Sequence, residues 1–189
     1  MNVKKLLVVL LCLPLTVLAD AEAGREKAQI CAACHGIDGN SISPQYPNLS
    51  GQTARYIYLQ LKDFKRGRRN DPLMSPMAAN LSKQDMNDLA DWYASQTYNG
   101  QNSKKIDADL GKGKKLADAA LCTMCHAGGF TGQNEIPRLA GQHYEYLIKQ
   151  LKDFKVKHRT NDAGNMTAVV RTIPDEDLED IAAYISTQQ

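Results

Sequence analysis

A chain of 189 residues with 43% hydrophobic and 23% charged side chains has the make-up of an ordinary globular protein, one domain or two small ones, and not of a disordered or multi-span membrane chain. The formal charge of +2 comes wholly from Lys4 and Lys5; the remainder carries 21 basic and 21 acidic side chains. Net charge therefore offers no reason to expect nucleic acid or an anionic membrane as a partner.

The first element in chain order is a leader over residues 1–19. Lys4 and Lys5 form a positive start, Leu6 to Leu13 an apolar run, and Val17-Leu18-Ala19 a small-residue cleavage site. The apolar run is shorter than the about 20 residues of a membrane span; an uncleaved anchor is the alternative. Leu11 stands before Cys12 where a lipoprotein would need a small residue. Export to the periplasm is the expectation.

The next helix is predicted from about Ala21 toward Cys34, ending in Cys31-Ala-Ala-Cys34-His35. A second one, from about Leu110 toward Cys125, ends in Cys122-Thr-Met-Cys125-His126, 91 positions after the first motif. C-x-x-C-H is the attachment signature of c-type haem. Two thiols at this spacing add across the porphyrin vinyl groups, and the following residue puts an imidazole on iron. A zinc ribbon would place its cysteine pairs roughly 15–20 residues apart, and a redox disulfide explains neither the duplication nor the histidines. The residues thus point to two covalently bound haem c groups, held by Cys31 and Cys34 and by Cys122 and Cys125. Bacterial haem of this kind is attached outside the cytoplasmic membrane, in keeping with the leader.

Between and beyond the motifs the two halves are copies. Pro47-Asn-Leu-Ser-Gly51-Gln52 matches Pro137-Arg-Leu-Ala-Gly141-Gln142, and Gln60-Leu-Lys-Asp-Phe-Lys65 recurs from Gln150 to Lys155, at an offset that stays between 90 and 92. So long a period marks a duplicated domain. The polar stretch 97–105 reads as the connection, giving a leader 1–19, a first domain 20–98, a linker 99–108 and a second domain 109–189. Ala54, Ile57, Tyr58 and Leu61 step as an amphipathic helix, as do Tyr144, Leu147, Ile148 and Leu151. The last helix of each half repeats the spacing, in Met86, Leu89, Ala90 and Tyr93 and in Leu178, Ile181, Ala182 and Ile185. Ser82 and Asp85 form a capping box, and Pro174 with three following acids marks the other helix start. No stretch alternates with a strand period, so the fold is all-α. Each half has fewer than 90 residues and a small core of its own; a covalent haem supplies the apolar surface it lacks.

His35 and His126 are the proximal iron ligands that the motifs specify. Methionine is the expected second ligand in cytochromes c. Met74 precedes Ser82 by the same eight positions that separate Met166 from Pro174, which assigns the pairs His35/Met74 and His126/Met166. Met77, whose counterpart is Val169, is the rival to Met74. Met86 lies on a core face, and Met124 sits inside a haem motif. His143 and His158 lack repeated partners and read as surface or helix-end residues. Tyr56, Tyr146 and Trp92 read as core or haem-wall residues. Lys62, Lys65, Arg66, Arg68 and Arg69, mirrored in part by Lys149, Lys152, Lys155, Lys157 and Arg159, read as solvated basic helix faces able to steer docking to an acidic redox partner.

On these motifs, together with Asn70-Asp71-Pro-Leu-Met74 ahead of Leu81-Ser82, the chain resembles the dihaem cytochrome c4 family of the class I cytochrome c superfamily across nearly all of its length after the leader. The resemblance implies two tandem cytochrome c domains related by pseudo-twofold symmetry, with haem propionates meeting at their interface and Pro47 and Pro137 orienting the histidines. It implies an electron carrier and not an enzyme, with redox-protein partners: a quinol-oxidising complex as donor and a terminal oxidase as acceptor. Loose membrane association stays open. Two other readings remain: an electron-transfer subunit of a larger dehydrogenase of the flavocytochrome c kind, and a dihaem peroxidase-like enzyme.

Overall fold

The computed structural model describes residues 21–100 and 106–189; the leader with Lys4, Lys5 and Cys12, and the middle of the linker, lie outside the described residues. The described part is helical, with a single isolated bridge between Gln133 and Ile136 as its one extended pairing. In the first half, α1 (Ala21–Ala28), α2 (Ala32–His35), α3 (Ala54–Lys65), α4 (Met74–Ala78) and α5 (Lys83–Ser95) follow one another. The second half repeats the order as α6 (Leu110–Ala119), α7 (Cys122–His126), a 3-10 turn (Gly128–Phe130), α8 (Tyr144–Lys155), α9 (Asn165–Val170) and α10 (Asp175–Ser186).

The first and last helices of each half cross, α1 on α5 and α6 on α10, and the middle helices α3 and α8 pack against the same partners. Ile57, Leu89, Ala90 and Tyr93 form the first core with Ala28; Leu147, Ile181, Ala182 and Ile185 form the second with Ala117, Phe130 and Ala140. These are the amphipathic stripes expected from the repeat. The crossings depend on glycine. A Cβ on Gly24 would stand 2.1 Å from the Asp88 carbonyl oxygen, and one on Gly113 would stand 2.1 Å from that of Asp180.

The helix starts follow capping chemistry. Ser82 Oγ accepts the Asp85 amide at 3.1 Å while Asp85 Oδ2 accepts the Ser82 amide at 2.8 Å, a complete capping box. Lys27 ties α1 to that cap through Asp85, at 2.9 Å, and Asp88. Lys112 does the same in the second half with Asp177 at 2.6 Å and Asp180 at 2.8 Å. The Ser82 cap, then Lys27, hold the Asp85 carboxyl down at about 2. Its folded value lies below the unfolded one, so its stabilisation is complete above the ordinary carboxylate range and is lost as pH falls toward about 2. A carboxyl-carbon NMR titration should find that midpoint, and Asp85→Asn should flatten the stability profile between pH ~4 and ~2.

The motif-bearing helices are not continuous, as the sequence had suggested. Each breaks just before its first cysteine: α1 ends at Ala28 and α2 begins at Ala32, while α6 ends at Ala119 and α7 begins at Cys122. In the second half Leu121 adopts the left-handed region at φ 55°, which cannot propagate a right-handed helix.

Candidate functional site

The two motifs present the same geometry. His35 and His126 are 5% and 6% exposed, and Nδ1 of each lies 2.9 and 3.0 Å from the carbonyl oxygen of Pro47 and Pro137. A carbonyl only accepts, so each Nδ1 carries the proton and donates, and each Nε2 keeps its lone pair. Burial pulls both imidazoles below the ordinary histidine value, against the smaller opposing pull of the proline carbonyl, which keeps them neutral. A neutral imidazole oriented through its other nitrogen is the form that binds a metal. The two prolines thus stand where the family resemblance put them.

None of the four described cysteines is joined in a disulfide. Burial raises Cys31 and Cys122. Cys31 packs against the core that contains Tyr93, and the buried Tyr93 hydroxyl lies against its sulfur. Two thiols and a neutral Nε2 in each half form a donor set that suits covalent haem.

Met74 and Met166 lie on the short fourth helix of each half. Met74 is the first residue of α4, which packs on α3; Met166 lies in α9, which packs on α8, and contacts the cluster of Phe154, Val170 and Leu178. Both are half-buried, whereas Met77 is 42% exposed and its counterpart Val169 40%. Met86 is buried in the core region as expected, and Met124 is 71% exposed. Asp71 accepts the Leu73 and Met74 amides, both at 2.9 Å, and Asp162 accepts those of Gly164 at 3.1 Å and Thr167 at 2.9 Å. These matched turns set the start of each methionine-bearing helix.

The seam between the halves is a pseudo-twofold pattern in which nearly every bond has a twin. Gln142 spans the Asn48 backbone, accepting its amide at 2.8 Å and donating to its carbonyl at 2.9 Å. Gln52 does the same to Arg138, at 2.7 and 2.8 Å. Thr53 Oγ1 donates to the Asn134 carbonyl at 2.5 Å, and its counterpart His143 donates through Nε2 to the Ser41 carbonyl at 2.9 Å. Arg69 reaches Gln60 and, across the seam, Tyr146 and Gln150; Arg159 reaches Gln150 and, across the seam, Tyr56 and Gln60. Burial opposes ionisation of Tyr56, but the guanidiniums of Arg159 and Arg69 outweigh it and lower this phenol.

Three sequence expectations are corrected here. His143 is 7% exposed and holds the seam, because the loop before α8 folds onto the first half; only His158 is on the surface. Arg69 and Arg159 leave the basic helix faces and enter the seam, each guanidinium lying over a phenylalanine, Phe64 at 4.6 Å and Phe154 at 4.5 Å. Tyr56 and Tyr146 are seam residues, not core. The signal was present: Tyr56, Gln60 and Arg69 all recur 90 positions later, and a polar trio kept in register through a duplication asks for a shared partner.

The cytochrome c family pattern matches residues 21–97 and 110–189, one match for each half. The cytochrome c4 of Azotobacter vinelandii is 40% identical over 204 residues, spanning 96% of this chain and 97% of that one. The chain belongs to the cytochrome c4 family. Its fold matches the crystal structure of reduced recombinant cytochrome c4 from Pseudomonas stutzeri with a TM-score of 0.80 and 35% identity, over 91% of this chain and 100% of that one. It also matches a thiosulfate dehydrogenase from Marichromatium purpuratum with a TM-score of 0.82 and 28% identity, over 89% of this chain but 40% of that longer one. Two C-x-x-C-H motifs make it a dihaem c-type cytochrome, and the family makes it an electron carrier with redox-protein partners rather than an enzyme.

Proposed function

We propose that this is a periplasmic dihaem carrier, freed of its leader 1–19, whose domains 20–98 and 109–189 joined by 99–108 each hold one haem c. Cys31, Cys34, Cys122 and Cys125 form the thioether links; His35/Met74 and His126/Met166 are the axial pairs. It takes electrons from a quinol-oxidising complex and passes them to a terminal oxidase. The observation that carries this reading is the matched pair of buried imidazoles, each with Nδ1 on a proline carbonyl so that Nε2 keeps its lone pair; each half also carries a half-buried methionine on a short helix.

Each haem supplies an iron that exchanges one electron between ferric and ferrous states. The residues do the rest. The proline carbonyl holds each imidazole in the ligating tautomer, and the Asp71 and Asp162 turns hold the methionine helices. A thioether ligand favours ferrous iron and raises the potential, and two protein ligands on each iron exclude small-molecule chemistry. The exposure of Met77 favours Met74 as the first ligand. Arg69 and Arg159 bring positive charge to the seam, where the propionates that the resemblance implies would lie.

Absorption spectra of the purified protein with a pyridine haemochrome assay should give two covalent haems per chain and the near-infrared iron–methionine band of both. Met74→Ala and Met166→Ala should each remove half of that band. An intact band in Met74→Ala moves the first ligand to Met77, and a high-spin iron in the wild type removes the carrier reading for that half. The likeness to part of a thiosulfate dehydrogenase supports a second reading, an electron-transfer subunit of a larger dehydrogenase. Purification of the native protein in a stable complex with such an enzyme would favour it.

A further inference from the structure

Because the chain is a duplication, each half is a reference for the other, and one surface breaks the match. On α8 and α10 of the second domain, the lysines of the middle helix are neutralised by acids of the last. Lys152 pairs with Glu179 at 2.8 Å, and Lys155 with Asp175 at 2.5 Å while also donating to the Ile173 carbonyl at 2.7 Å. In the first domain the lysines are retained as Lys62 and Lys65, and Lys65 makes the equivalent bond to the Leu81 carbonyl at 2.6 Å. The acids are not retained. Asn87 stands for Glu179, and Lys83 for Asp175.

Two further changes have the same sign. Arg55 stands where the second domain has Glu145, and Arg66 where it has Val156; Arg55, Lys65, Arg66 and Lys83 are all exposed. The acid that shares the Lys83 face of α5 is Asp91, two turns away. Lys83 occupies the first turn of its helix, where the macrodipole disfavours a cation and where α10 carries three acids. Folding alone would not select lysine at that position or two cations where the sister domain has an ion pair. On α4, which packs on α3, and at its N-cap, Met77 and Leu73 are 42% and 57% exposed. Exposed apolar side chains on an element packed against a helix of unneutralised cations have the make-up of a transient protein interface.

We infer that this face of the first domain, Arg55, Lys62, Lys65, Arg66 and Lys83 around Leu73 and Met77, docks an acidic protein partner. The inference rests on the carrier reading and adds which domain meets that partner. The patch borders α4, the helix that carries Met74, so a partner seated on it lies over the methionine side of the first site. On the matching face of the second domain, Glu179 and Asp175 neutralise Lys152 and Lys155. Electrons therefore cross to or from an acidic partner through the first domain.

The test is stopped-flow electron transfer between the dihaem protein and plastocyanin, used as an acidic redox protein, at low and high ionic strength. Lys65→Glu with Lys83→Glu is compared with Lys114→Glu with Lys115→Glu, an equal charge change on the exposed face of α6. The wild type and the α6 variant should react fast at low salt and slow with added salt. The Lys65/Lys83 variant should be slower by about tenfold at low salt and nearly salt-independent. Equal salt dependence in all three proteins, or equal loss in both variants, overturns the proposal. So does binding of the wild type to vesicles with anionic phospholipid, lost in the Lys65/Lys83 variant, without any effect on the plastocyanin rate. Ferrocenemethanol separates the two levels: if the carrier reading is wrong, no variant exchanges electrons reversibly with it, and if all do so at one rate while their plastocyanin rates share one salt dependence, only the docking face is wrong.

Discussion

Replacing Gly113 by alanine lowers the stability of the second domain by about 1–3 kcal/mol. The new Cβ would lie 2.1 Å from the Asp180 carbonyl oxygen and 2.9 Å from Tyr184 Cβ. Both obstacles belong to α10 at its backbone or first side-chain carbon, so no rotamer change clears them, and α6 must move away from α10. Moving it also strains the contacts of Lys112 with Asp177 and Asp180 and opens the core around Ala117, which is 1% exposed. For a domain of this size each kcal/mol corresponds to roughly 4–8 °C in Tm. Thermal unfolding of the holoprotein should show a lowered transition, followed through the second haem, and Gly24→Ala should lower the first domain alike, through Asp88. An unchanged transition in both variants would show that the crossings are looser than these contacts require.

Removing the side chain of Gln142 has the second large effect. Its amide answers both the N–H and the carbonyl of Asn48, a residue 6% exposed, and its oxygen also accepts the His143 amide at 3.0 Å. Gln142→Ala removes the hydrogen bonds that Gln142 makes to two buried backbone groups of the first domain, at about 1–3 kcal/mol each. Gln52→Ala costs less, because Arg138 is half-exposed and water can answer its backbone. The loss falls on the union of the domains, since neither glutamine holds its own helices together. Calorimetry should resolve two transitions in Gln142→Ala where the wild type unfolds in a more cooperative way, and the two haem potentials should become less coupled. A single unshifted transition would show that the domains are held together elsewhere.

The readable parts of this chain were those with a local cause. C-x-x-C-H is a covalent requirement over five residues, the capping box a reach of three, and the helical stripes a matter of period; each could be read in place. The duplication extended that reach. It matched Met74 to Met166 at eight residues before the last helix; both are half-buried, and Met77 is exposed. The breaks ahead of Cys31 and Cys122 were not legible, because a left-handed Leu121 is imposed by the loop that must present the motif, not by leucine.

What the sequence by itself determined was composition-level class, two haem-bearing all-α domains, their caps and their stripes, because each of these is encoded within one element or repeated between two. What only the tertiary structure decided was the seam. His143, Tyr56, Tyr146, Arg69 and Arg159 have surface-like neighbours along the chain, and their burial arises only when the other half supplies carbonyls, phenols and amides about 80–100 positions away. The same holds for the unpaired cations of the first domain. Lys65 and Lys83 look like ordinary surface lysines until the fold places them where Lys155 and Asp175 meet in the sister domain. A hydrogen bond or an ion pair is a relation between two positions in space, and one position of the pair does not specify the other.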